Sequence, residues 1–256
     1  MTRFTHPLSP LVLAAVVAML AMGSGCNGPS EASLLASARS HLARKEPDAA
    51  RIQLKTLLQS KPDSGEARFM LGQLMADAGE PQAAEAELRR ALEARHPDTA
   101  VLPLLVQVML SLGQSQLLLS QFGQTQLSDP VADATLKTHL AAAHASEGQM
   151  DKAQALVASA LQRQPGAVPA LLLQARLLAA TDSPAAGLKA LDQLLQTSPD
   201  LAQAWAQKGD LLALRSGPAD TEAALAAWRK SLALKPDNVA VHGAVIRRLL
   251  AVPDIA

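Results

Sequence analysis

Residues 65–98 read GEARFMLGQLMADAGEPQAAEAELRRALEARHPD, and this stretch decides the fold. It contains two helix-forming segments separated by Gly79-Glu80-Pro81. Gly72 and Ala84 are small enough to let the two helices approach closely, and Leu88 fills the space left between them. Gly79 supplies the freedom a tight turn needs. Pro81 opens the second helix, where a missing amide N–H costs nothing, and Pro97 closes the unit. The same closing proline recurs along the chain at Pro62, Pro97, Pro130, Pro165, Pro199 and Pro236, at intervals of 35, 33, 35, 34 and 37 residues.

A helix–turn–helix period near 34 residues is that of the tetratricopeptide repeat. The predicted fold class is therefore all-α, a right-handed superhelical tetratricopeptide-repeat solenoid of about six helix pairs plus one C-terminal helix. No unit can bury its own apolar face, so each must cover its neighbour. Outward from residues 65–98, the repeats fall at about 31–64, 99–132, 134–167, 168–201 and 202–238, with a last helix at 239–251. In the first, Ala50 and Leu54 take the crossing positions, and Asp63 is expected to cap the helix that follows. The third places Leu118 where a small residue is usual, which predicts a wider helix separation. In the sixth, about three extra residues are expected in the turn 215–221, and Trp205 and Trp228 are read as core. The last helix is either a cap or the first half of a further repeat.

Of the 256 residues, 49% are apolar but only 2% aromatic, and there is no tyrosine. Alanine and leucine must do the packing. Lys plus Arg (23) balance Asp plus Glu (23), leaving no global field or aromatic platform to hold nucleic acid.

The N-terminus differs from the rest. Arg3 is the only charged residue of the first 25, an apolar run covers Leu11 to Met22, and Gly23, Ser24 and Gly25 precede Cys26. This is a signal-peptide pattern over 1–25, and its apolar run of about 12 residues is shorter than the roughly 20 of a spanning helix. Cys26 is the only cysteine, so it has no intrachain disulfide partner. Its position resembles the lipobox of bacterial lipoproteins. That resemblance implies lipidation of Cys26, a short tether over 26–30 and a periplasm-facing anchor, with Asn27 pointing to the outer rather than the inner membrane. The alternative is a secreted protein with a leftover thiol.

No metalloprotease, phosphate-loop or cysteine-pair motif is present, and no enzymatic activity, cofactor or metal is predicted. His139 and His144, five residues apart, lie about 140° around a helix, which argues against a shared metal. His41 and His144 are read as partly buried spacers. The expected site is a groove lined by the ninth residue of each first helix: Arg39, Gln73, Gln107, Ala142, Arg176, Asp210 and Arg247. Phe69, Leu110, Leu172 and Ala206 sit beside them. Such a polar surface with apolar patches suits a peptide or a partner helix.

The runs IQLK (52–55), EARFMLG (66–72) and AEAELRRAL (84–92), with a lipoprotein cysteine ahead of the first repeat, resemble the PEP-CTERM system TPR-repeat lipoprotein (PrsT) family. That resemblance implies an envelope protein tied to exosortase sorting and exopolysaccharide production, acting through protein partners. Family members carry many more repeats, so this chain reads as a short or truncated member. Two other functions remain open: a pilus- or outer-membrane-assembly lipoprotein, and the remnant of a repeat-containing transferase.

Overall fold

A computed structural model describes residues 30–215 and 217–250; residues 1–29, and with them the signal segment and Cys26, lie outside the described residues, as do 251–256. Thirteen helices are described: α1 (Glu31–Ala43), α2 (Pro47–Ser60), α3 (Gly65–Asp77), α4 (Pro81–Glu93), α5 (Asp98–Ser111), α6 (Ser115–Phe122), α7 (Pro130–Ser146), α8 (Met150–Arg163), α9 (Val168–Thr181), α10 (Pro184–Thr197), α11 (Ala202–Ala213), α12 (Pro218–Leu234) and α13 (Val239–Leu250). They pack as consecutive pairs, each first helix also touching the pair before it, with α13 laid on α12. No strand is present among the described residues.

The first four pairs turn on the same device. The first helix ends in a residue with a left-handed backbone, Gly79 (φ 74°), Gly113 (φ 71°) and Gly148 (φ 73°) among them. The amides of that residue and the next then bond back into the last turn, as in Gly79 N–H to Ala76 O and Glu80 N–H to Met75 O. Lys45 (φ 60°) occupies the equivalent place after α1, and Arg95 (φ 58°) does the same after α4. A side chain in this conformation carries a steric cost that glycine avoids.

Packing follows the small-residue register. Ala50, Ala84, Ala153 and Ala224 are fully buried at the crossings, beside Leu54, Leu88, Val157 and Trp228. Each fully buried Leu contributes about 1.5–3 kcal/mol. One apolar cluster runs from Leu34 to Ala143 and another from Ala175 to Val241. The joint between them, at α7, α8 and α9, is filled mostly by alanines such as Ala134, Ala153, Ala160 and Ala170. Polar pairs tie successive repeats together, including Arg51 to Glu80 at 2.9 Å, Gln114 to Glu85 at 3.0 Å and Gln116 to Glu147 at 3.0 Å. Buried Glu87 joins Arg68 (2.7 Å) to Arg90 (2.6 Å), while Arg68 Nε donates to Pro62 O across the preceding turn.

Four expectations need correction. Ser64, not Asp63, is the N-cap of α3, and no side chain caps that end. Trp228 is core at 3% exposure, but Trp205 is only half-buried: its indole N–H donates to Pro199 O at 2.8 Å, and Lys208 Nζ sits 5.3 Å from the ring centre. The extra residues of the sixth repeat extend the start of α12, which has 17 residues, because Pro218 is well suited to open a helix. Finally, α7 starts at Pro130, with the Asp129 carboxylate accepting from Ala132 N–H at 2.8 Å, so this proline opens a helix and does not close a repeat.

That last shift belongs to an irregular third repeat. Leu118 is fully buried at the crossing, α6 stops after eight residues, and α5 packs more extensively on α7 than on α6. The connection after α6 is held by buried Asp133, which accepts from Leu127 N–H (3.0 Å), Lys137 Nζ (2.9 Å) and Arg163 Nε (3.1 Å). Burial alone would raise the Asp133 pKa, but the Leu127 amide, Lys137 and Arg163 outweigh it and hold the carboxyl below its usual range.

Candidate partner-binding groove

A helical residue and its neighbours three, four and seven positions on share one face. In each first helix one such face is used for packing, so the positions left open are the second, fifth or sixth, and ninth. From one repeat to the next these positions line up. At repeats three to six, α5, α7, α9, α11 and the turn before α9 line a cavity of about 640 Å3. Its wall takes Gln107 from α5, Thr135, Thr138 and His139 from α7, Leu172 and Arg176 from α9, and Gln203 and Gln207 from α11. Val131, Val168 and Pro169 add aliphatic surface. The volume falls in the range of ordinary ligand sites.

The polar groups here are uncharged with one exception. Arg176 is exposed and makes no hydrogen bond or ion pair with the described residues, and no carboxylate lines the cavity. Gln207 Nε2 donates to Leu172 O at 2.8 Å, which ties α11 to α9 across the cavity floor. The Thr138 hydroxyl donates to Ala134 O at 2.7 Å within α7. Burial pushes the pKa of His139 down to about 4, so the ring is neutral near pH 7 and offers one donor and one acceptor nitrogen.

The predicted groove residues are therefore distributed over several environments. Gln107 and Arg176 meet in the large cavity. Asp210 and Arg247 line a smaller one of about 330 Å3 beside Trp228, where Asp210 Oδ1 accepts from the indole N–H at 3.0 Å. Arg39 is exposed but ion-paired with Glu66 of the next repeat. Phe69 is half-buried and stacks on His96, with ring centres 4.9 Å apart. Gln73 is exposed, and Ala142 is half-buried. His139, Thr135, Gln203 and Gln207 were not anticipated. Counted from the repeat starts at 134 and 202, they take the second and sixth positions, which the ninth-residue rule passes over.

Among the described residues, no group of three His, Cys, Asp or Glu side chains is placed to hold a metal ion. No described helix is long and apolar enough to cross a membrane.

The tetratricopeptide repeat family model matches residues 35–99. Similar structures span far more. A chain of the APC/C hetero-tetramer Cut9–Hcn1 matches with a TM-score of 0.66 at 18% identity, covering 93% of this chain and 46% of that one. The chain has the tetratricopeptide-repeat fold. It spans less than half the length of the Cut9–Hcn1 chain. PilW, a widely conserved type IV pilus biogenesis factor, matches at 0.66 and 15% identity, covering 83% of this chain and 96% of PilW. PilF of Pseudomonas aeruginosa matches at 0.57 and 18% identity, covering 84% and 96%. No curated protein sequence matches significantly.

Proposed function

We propose that this protein is a membrane-anchored periplasmic scaffold that holds protein partners along its groove, acting in exopolysaccharide production and PEP-CTERM export. One observation supports the scaffold reading above others: four successive first helices contribute amides, hydroxyls and aliphatic surface to one continuous cavity. Such a lining suits an extended polypeptide. It does not bring together the acids, bases and nucleophiles a catalytic step requires, so no turnover is assigned. The anchor rests on the signal-like segment 1–25 and the lipobox-like position of Cys26. The export role rests on the resemblance carried by residues 34–92.

The groove is tested by cross-linking and capture from envelope extracts with the full chain. Gln107→Lys combined with Arg176→Glu leaves the packed faces intact and is expected to abolish recovery of partners that the native chain retains. Equal recovery by both would refute a groove mechanism. A palmitate analogue is expected to label the native chain and not Cys26→Ala; equal labelling would refute the anchor.

A second reading, pilus assembly, is favoured by the near-complete coverage of PilW and PilF by a chain of this size. It requires that deletion of the gene impair pilus formation, and normal pili in the deletion strain would dismiss it.

A further inference from the structure

We infer that the cavity between α5 and α11 is a subsite for an extended peptide segment carrying a single carboxylate, which Arg176 reads. The inference rests on the scaffold reading and adds the chemistry of the ligand.

Arg176 is the only ionisable side chain on the cavity wall that is charged at neutral pH, and it has no intramolecular acceptor among the described residues. Arginines of the first two repeats are by contrast already engaged: Arg39 by Glu66, Arg51 by Glu80, Arg68 by Glu87. A guanidinium presents a rigid fork of donors that matches a carboxylate in two parallel bonds, and such charge-assisted pairs are among the stronger hydrogen bonds. With no acid competing within the cavity, the acceptor has to come from outside.

The rest of the wall says what carries that carboxylate. Gln107 and Gln203 present both a carbonyl and an amide, the same donor and acceptor pair as a peptide bond. They lie two repeats or more apart, on either side of Arg176, so they suit a ligand with repeated amides along its length. His139 is neutral and can donate and accept in turn. Val131, Pro169 and Leu172 supply aliphatic contact for side chains, while no Trp, Phe or Tyr lies on the wall as a flat platform for a sugar ring. Polypeptide therefore fits better than an acidic polysaccharide. One cation, not a cluster, limits recognition to one carboxylate.

The test is a selection of randomised nine-residue displayed peptides on the full chain. Arg176 has no internal partner, so its replacement should leave thermal melting unchanged, and that is checked first. The native protein is expected to enrich peptides with one Asp or Glu at a fixed position, at least tenfold over the naive library. Arg176→Gln should lose that enrichment, and Arg176→Glu should replace it with Lys or Arg at the same position. Enrichment without an acidic position, an acidic position that persists in Arg176→Glu, or no enrichment at all would overturn the inference. So would binding of an oligogalacturonate probe that depends on Arg176 while no peptide is selected. Capture of envelope partners that survives any of these failures would leave the scaffold reading standing and sink only the subsite.

Discussion

The close approach of α9 and α10 can be tested with one methyl group. Gly187 of α10 sits where four of the other repeats carry alanine, and a β-carbon added there would lie 2.6 Å from Ala175 O, 2.6 Å from Ala179 Cβ and 2.9 Å from Leu211 Cδ1. The first two atoms belong to the framework of α9 and cannot rotate aside, so Gly187→Ala must push α9 and α10 apart. Overpacking of this kind costs about 1–3 kcal/mol, and two rigid contacts place it near the upper end. Helix propensity returns about 1 kcal/mol, leaving a net loss of about 2 kcal/mol. Gly243→Ala in α13 is the control, because its new methyl meets only the end of the flexible Arg247 side chain at 3.2 Å. The control should gain about 0.5–1 kcal/mol from propensity alone. Urea unfolding followed by circular dichroism measures both, and hydrogen exchange should show the loss concentrated in α9, α10 and α11, since repeats interact chiefly with their neighbours. A Gly187→Ala protein stabilised as much as Gly243→Ala would refute the packing argument.

Two further perturbations follow from the backbone and from burial. Lys45→Gly relieves the left-handed conformation that Gly79, Gly113 and Gly148 adopt freely, so a gain of about 1 kcal/mol is expected, seen as a thermal midpoint about 2–4 °C higher; Lys45→Val should move it the other way. For His139, the folded pKa of about 4 lies below the unfolded value near 6.5, so only the unfolded chain takes up a proton between them. Stability from this residue is complete above pH 6.5 and is lost as pH falls toward 4, by about 3 kcal/mol in all. Urea titrations at pH 7 and pH 4.5 should show His139→Gln losing about 2 kcal/mol less than the native chain, and equal losses would refute the burial argument.

The repeat architecture was legible because its cause is local and periodic. Small residues at Gly72, Ala84, Ala153 and Ala224, helix-opening prolines at Pro47 and Pro81, and turn glycines at Gly79, Gly113 and Gly148 each specify one contact within a unit. Where the pattern broke, so did the reading. Leu118 announces a poor crossing, yet it does not show how the chain runs on after α6 ends with its C-cap at Gly123, because that connection is held by Asp133 and Arg163 reaching back to Leu127 from the next pair. Trp205 holds an aromatic position of the repeat, but its indole reaches back to Pro199 O in the preceding turn and lies beside Lys208 one turn on in α11, which leaves the ring half-buried.

The amino-acid sequence by itself determined the helix pairs, their order and the faces they bury, since burial of apolar surface between neighbours follows a step of about 34 residues. It also placed Arg176 and Gln107 on the open side of their helices. Only the tertiary structure decided that these two share one cavity with His139, Gln203 and Gln207, while Arg39 is neutralised by Glu66 and Asp210 is engaged by Trp228. The physical reason is that a side chain's free charge and its desolvation depend on every element around it, and those elements are brought together from four repeats.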